Sequence, residues 1–219
     1  MVKTRVKICG ITNWADAQRA CEAGASFLGF NFYRESPRYI SPARASKIVN
    51  RLPDGVAAVG VFVNEAGDAV VETARRLKLD FVQLHGEESP ELVAHVAQYV
   101  PVIKAIRVRR PFRTSQLEQF KSASAFLLDG FDKRARGGTG KTFDWSVARR
   151  VRRGRTIFLA GGLTPENAAQ ASKSARPYAL DVCSGVEAKP GKKDGARIVA
   201  FMRAVGNGNM SGKIKMRTR

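Results

Sequence analysis

Eight short apolar runs recur along the chain at near-constant spacing: VKICG at 6–10, FLGFNF at 27–32, AAVGVFV at 57–63, FVQLHG at 81–86, VIKAIRV at 102–108, AFLLDG at 125–130, TIFLAGG at 156–162 and YALDVCSG at 178–185. Runs this short, bounded by glycine and polar residues, read as buried strands. Between them lie segments of helical period, several opened by a cap: Asn13 before WADAQRACEAG, Ser41-Pro42 before ARASKIVNRL, Ser89-Pro90 before ELVAHVAQYV and Thr164-Pro165 before ENAAQASKSA. Proline directly after a cap marks a helix start, because its missing N–H is one the first turn cannot use. GARIVAFMRAV follows the eighth run and completes eight strand-helix units of roughly 25 residues, the lower end of barrel size.

Strict alternation of strand and helix implies parallel strands. Eight of them close most simply into an α/β single-domain (β/α)8 TIM barrel, which leaves no sheet edge exposed. An open doubly wound sheet is the alternative. No linker or composition break interrupts residues 1–206, expected to form the catalytic domain, whereas 207–219, NGNMSGKIKMRTR, reads as a disordered basic tail.

Composition excludes several classes. A hydrophobic content of 44% suffices for a core. No run approaches the ~18 apolar residues needed to span a bilayer. MVKTRVKICG carries charge where a secretion signal needs an apolar stretch, so a cytoplasmic, membrane-free protein is expected. Cys9, Cys21 and Cys183 are odd in number and lack metal-site spacing, so reduced thiols and no metal are expected. Lys and Arg outnumber Asp and Glu by 38 to 19, a net charge of +19. The basic residues from Lys104 to Arg113, Lys133 to Arg155 and Lys213 to Arg219 lack interleaved aromatics. They read as solvated faces with no specific nucleic-acid partner. A non-catalytic barrel that binds polyanions is the reading this charge would otherwise motivate.

In a barrel of this kind the site lies at the carboxyl ends of the strands. The candidates there are Cys9, His85, Asp129, Gly161-Gly162, Asp181 and the turn Cys183-Ser184-Gly185. Side chains alternate along a strand, so if Val6 and Ile8 pack on helices, Lys7 and Cys9 point into the barrel. An ammonium beside a thiol favours thiolate, the form able to act as a base or nucleophile. Asp129 closes the sixth run as a candidate acid or base. Gly161-Gly162 and Ser184-Gly185 end adjacent strands, where barrels often hold phosphate on backbone amides. The glycine-rich GGTGKT at 137–142 is not a nucleotide P-loop, because position 135 is alanine where that loop needs its first glycine.

Taken together, VKICGIT, SPRYI, GVFVN, VQLHGEE, LLDG, GGTGKTFDW, LAGGLTPENA and ALDVCSGVEAKPGKKD resemble the phosphoribosylanthranilate isomerase family of tryptophan biosynthesis, from Val6 to about Phe201. The resemblance implies a cofactor-free Amadori rearrangement of N-(5-phosphoribosyl)anthranilate to 1-(o-carboxyphenylamino)-1-deoxyribulose 5-phosphate. By motif position it implies Cys9 as general base and Asp129 as general acid. Arg38 of SPRYI would hold the anthranilate carboxylate, and His85 and Asp181 would contact or orient substrate. Gly161, Gly162, Ser184 and Gly185 would hold phosphate. The expected partner is a small phosphosugar, with the protein a monomer or homodimer. The related histidine-pathway isomerase carries an aspartate where this chain has Cys9, which argues against that substrate, though dual specificity stays open. One departure is Cys183, where the family turn reads D-V-S-S-G-V-E; a thiol there donates more weakly to phosphate than a hydroxyl.

Overall fold

A computed structural model describes residues 4–108, 111–130 and 145–206. The GGTGKT loop and the expected tail lie outside the described residues. Eight strands, β1(Arg5–Cys9), β2(Phe27–Asn31), β3(Ala57–Phe62), β4(Phe81–Leu84), β5(Val102–Arg107), β6(Ala125–Asp129), β7(Ile157–Ala160) and β8(Ala179–Val182), pair in chain order, all parallel. β1 also pairs with β8, with Lys7 beside Asp181 and Ile8 beside Val182, so the sheet closes and the open-sheet alternative is excluded.

Helices α1(Trp14–Glu22), α2(Pro42–Val49), α3(Gly67–Leu77), α4(Pro90–Ala97), α5(Ser115–Glu118), α6(Ser146–Val151), α7(Pro165–Ala175) and α8(Gly195–Ala204) ring the barrel. The caps are built from the residues expected. Asn13 accepts from the Asp16 amide, Ser41 from Arg44 and Ser89 from Leu92, and Thr164 and Asn167 form a reciprocal capping box. One element was not expected from the apolar runs. After β8 the chain makes a single 3-10 turn, Ser184–Val186, and then a short antiparallel hairpin, β9(Glu187–Lys189) with β10(Lys192–Lys193).

Alternation along the strands sorts the core into two bodies. Val6, Ile8, Leu28, Leu84, Leu128 and Leu180 pack outward against the helices. Phe27, Val59, Ile103, Leu127, Phe158 and Ala179 fill the barrel interior, where Phe27 stands edge-on to Phe81 and Phe158 at centroid distances of 5.9 and 5.2 Å. The interior is thus plugged by rings toward the amino ends of the strands and turns polar above them.

The solvated reading of the basic residues fails at Lys104. It lies in β5, 2% exposed, and its ammonium is 2.7 Å from Glu88 while donating to the carbonyls of Leu84 and Gly86. Lys7 and Lys193 are buried too, each on a carboxylate. A lysine stem is long and apolar, so strand alternation can carry it inward where an acid waits.

Candidate active site

At the carboxyl ends of the strands a cavity of about 470 Å³ is lined by Cys9, Arg38, Gln83, His85, Asp129, Gly161, Gly162, Asp181, Cys183 and Ser184, among others. Of the residues expected at the site, only Gly185 stays out of its wall. Gly185 serves the turn by being small: a Cβ there would collide with the Leu163 carbonyl of the neighbouring loop. Gly161 and Gly162 both adopt left-handed backbone, φ 90° and 64°, which turns the chain sharply at the end of β7.

Val6 and Ile8 do pack outward, and Lys7 points into the barrel, its ammonium 2.8 Å from Asp181. Burial works against the charge on Lys7, but Asp181 and the thiolate of Cys9 outweigh it and raise its pKa. Burial pushes the Asp181 carboxyl up to about 6, since Lys7 offsets it only in part and Cys9 adds to it. Two would-be anions, the carboxyl and the Cys9 sulfur, therefore share one cation. A hydrogen bond from Cys183, followed against burial by Lys7 and Lys193, holds the Cys9 thiol well below the usual range. The same contact, with burial, pushes the Cys183 thiol up, and Cys183 Sγ also lies 3.9 Å from Glu187 Oε1, to which it donates.

Opposite these lie His85 and Asp129, with His85 Nε2 3.4 Å from Asp129 Oδ2. The Gln83 amide nitrogen sits 2.6 Å from His85 Nδ1. With the amide donating, the ring carries its proton on Nε2, the nitrogen that faces Asp129. Gln83 Oε1 is buried with no partner among the described residues. Arg38 lines the wall with its guanidinium clamped by Glu187, Nε to Oε1 at 2.9 Å and Nη2 to Oε2 at 2.7 Å, which leaves Nη1 outside the clamp. Glu187 in turn receives Lys193 Nζ at 2.9 Å. Burial is outweighed by these two cations, which hold its carboxyl below the usual range.

The strand-end rule missed Gln83, Glu187 and Lys193. Gln83 was within reach of sequence reasoning, since it shares the inward face of β4 two residues before His85. Glu187 and Lys193 come from the hairpin, for which apolar period gives no signal.

The profile of the N-(5'phosphoribosyl)anthranilate (PRA) isomerase family matches residues 6–204. The chain belongs to this family. The PRA isomerase of Trichlorobacter lovleyi is 49% identical over 200 residues, 91% of this chain and 96% of that protein. The crystal structure of phosphoribosyl anthranilate isomerase from Thermotoga maritima is 45% identical with a TM-score of 0.86, covering 93% of this chain and 98% of that one. A phosphoribosyl anthranilate isomerase crystallised with reduced 1-(o-carboxyphenylamino)-1-deoxyribulose 5-phosphate is 43% identical, with a TM-score of 0.83 over 93% of this chain and 98% of that one. Among the described residues no group of three or more His, Cys, Asp or Glu is placed to hold a metal ion, and no helix is long and apolar enough to cross a membrane.

Proposed function

We propose that Cys9 and Asp129 carry the two proton transfers of the PRA isomerase reaction. The chain catalyses the Amadori rearrangement of phosphoribosylanthranilate in tryptophan biosynthesis. The ribose ring opens when an acid protonates the ring oxygen and the anthranilate nitrogen becomes an iminium. A base then removes the proton on C2, and the enol formed relaxes to the ketone. Asp129, whose Oδ2 lies 3.4 Å from His85 Nε2, supplies the first proton. Cys9, whose thiol is lowered well below its usual range beside Cys183 and Lys7, takes the second. The iminium makes that C–H acidic enough for a thiolate, so each transfer is matched to its group.

The substrate's two anionic ends set its direction. The phosphate sits over the turns after β7 and β8, on the amides of Gly161, Gly162 and Ser184. The anthranilate carboxylate meets the free edge of Arg38, whose plane Glu187 fixes. Asp181 acts through Lys7, and His85 orients Asp129. The enzyme works on this phosphosugar as a monomer or homodimer in the cytoplasm, without cofactor, membrane or specific nucleic acid.

One observation carries this reading: the Cys9 sulfur, beside Lys7, and the Asp129 carboxyl, beside His85, line the same cavity. The test generates phosphoribosylanthranilate in situ and follows its fluorescence decay. Cys9→Ser and Asp129→Asn should each slow turnover by about 10²–10⁴. Undiminished turnover in both would remove the assignment.

A further inference from the structure

The proposed mechanism gives the Cys183 sulfur no proton transfer. The barrel closure places it beside the base. β1 and β8 run in register through Lys7–Asp181 and Ile8–Val182, which leaves Cys9 as the last residue of β1 and Cys183 as the first after β8. Neighbouring strands lie about 4.8 Å apart, inside the window of about 4.4–6.8 Å between Cα atoms that a disulfide spans. The Cys9 sulfur fills the space left by Gly29, and Cys183 Sγ fills that left by Gly10, the residue that follows Cys9. Both residues are partly exposed in the wall of the cavity, whereas Cys21 is buried under α1.

From this geometry we infer that Cys9 and Cys183 form an oxidisable dithiol, closed to a disulfide by a hydroperoxide and reopened by a thiol reductant. The charges around the pair favour the first step. Lys7, Lys193 and Arg38 face it, with Asp181 on Lys7 and Glu187 shared between Arg38 and Lys193, which lies 3.7 Å from Cys183 Sγ. The Cys9 thiolate attacks one oxygen of the hydroperoxide; the S–O bond forms, the O–O bond breaks and hydroxide leaves, giving a sulfenic acid. The Cys183 sulfur then attacks that sulfur; the S–S bond forms, the S–O bond breaks, and water leaves with the thiol proton. Two thiols lose two electrons and the peroxide gains them. Closure consumes the thiolate that removes the C2 proton, so its effect on turnover rests on the assignment of Cys9 made above.

The full-length protein is treated with hydrogen peroxide under native conditions, quenched with iodoacetamide, digested and mapped by mass spectrometry. Turnover is read before and after dithiothreitol. The expected result is a Cys9–Cys183 linked peptide with Cys21 alkylated, and turnover reduced by about a hundredfold or more and restored by dithiothreitol. Cys183→Ser, referred to its own untreated rate, should lose turnover without recovery as Cys9 passes to sulfinic acid. Sulfinic Cys9 with no linked peptide in the wild-type protein, or a link that includes Cys21, overturns the proposal whether or not the variant folds. Equal recovery in Cys183→Ser overturns it too. A linked peptide with full turnover keeps the dithiol and overturns instead the reading of Cys9 as the base.

Discussion

Gly29 sets where the base stands. A Cβ at this position would lie 2.8 Å from Cys9 Sγ and 3.1 Å from both the Cys9 Cα and Lys7 Nζ. The Gly29 carbonyl also receives the amides of Gly10 and Ile11 at 3.0 and 2.9 Å, so β2 has no freedom to retreat. Gly29→Ala should therefore lower stability by roughly 1–3 kcal/mol in denaturant melts. Its kcat should fall by at least about tenfold, because displacement of a reacting group by an ångström is costly. Asp181 gives a second test at this scale. Its ordinary value of 3.8 is pushed up to about 6 in the fold. Between these values the folded chain keeps a proton that the unfolded chain has released, so this group's contribution to stability falls as pH rises through that window. Thermal melts from pH 4 to about 6.5 should show that decline in the wild-type protein, and Asp181→Asn should lack it. Parallel curves for the two proteins would contradict the shift.

The loops above β3 and β4 are tied together by one buried pair. Glu88 Oε2 meets Lys104 Nζ at 2.7 Å, while Glu88 Oε1 accepts the amides of Asn64 and Gly86 at 3.0 and 2.9 Å. Burial opposes the charge on Glu88, but Lys104 and the amides outweigh it and lower its pKa. Removing one partner leaves the other ion buried alone, so Glu88→Leu should cost about 3–5 kcal/mol in chemical denaturation. A loss below about 1 kcal/mol would mean that Lys104 finds water or another acceptor. This pair also marks how far the sequence could be read. Apolar period placed all eight strands, because burial on both sides of a parallel strand leaves a continuous apolar signature. Cap residues placed the starts of α1, α2, α4 and α7, since an N-cap works through contacts within a few residues. Strand-end position brought Cys9, His85, Asp129 and Asp181 to one cavity. Glu88 with Lys104, and Glu187 with Arg38 and Lys193, escaped because each pair is made by partners on different elements. An inward lysine shows the same symbol as a solvated one until its acid is located.

Over the whole molecule the net charge is +19, and the described residues that line the cavity carry little of it. Among the described residues near the site, Lys7, Arg38 and Lys193 face Asp181, Glu187 and Asp129, three cations against three carboxyls. At the amino ends of the strands, a cleft of about 740 Å³ is lined by Arg5, Arg152, Arg155, Lys173 and Arg176, with no carboxylate among its lining residues. A five-residue strand rises about 17 Å, and the screening length at physiological salt is about 8 Å, so the far cleft contributes little field at the active site. Two measurements follow from this separation. Raising salt from about 0.05 to about 0.5 M should lower kcat/KM by less than about threefold, since the charges of the described residues there nearly cancel. Heparin should retain the protein in a salt-sensitive way through the far end, and Arg152→Glu with Arg155→Glu should weaken that retention while leaving turnover within about twofold. A fall of about a hundredfold in kcat/KM with salt, or heparin competing with phosphoribosylanthranilate, would place the effective charge at the catalytic end instead.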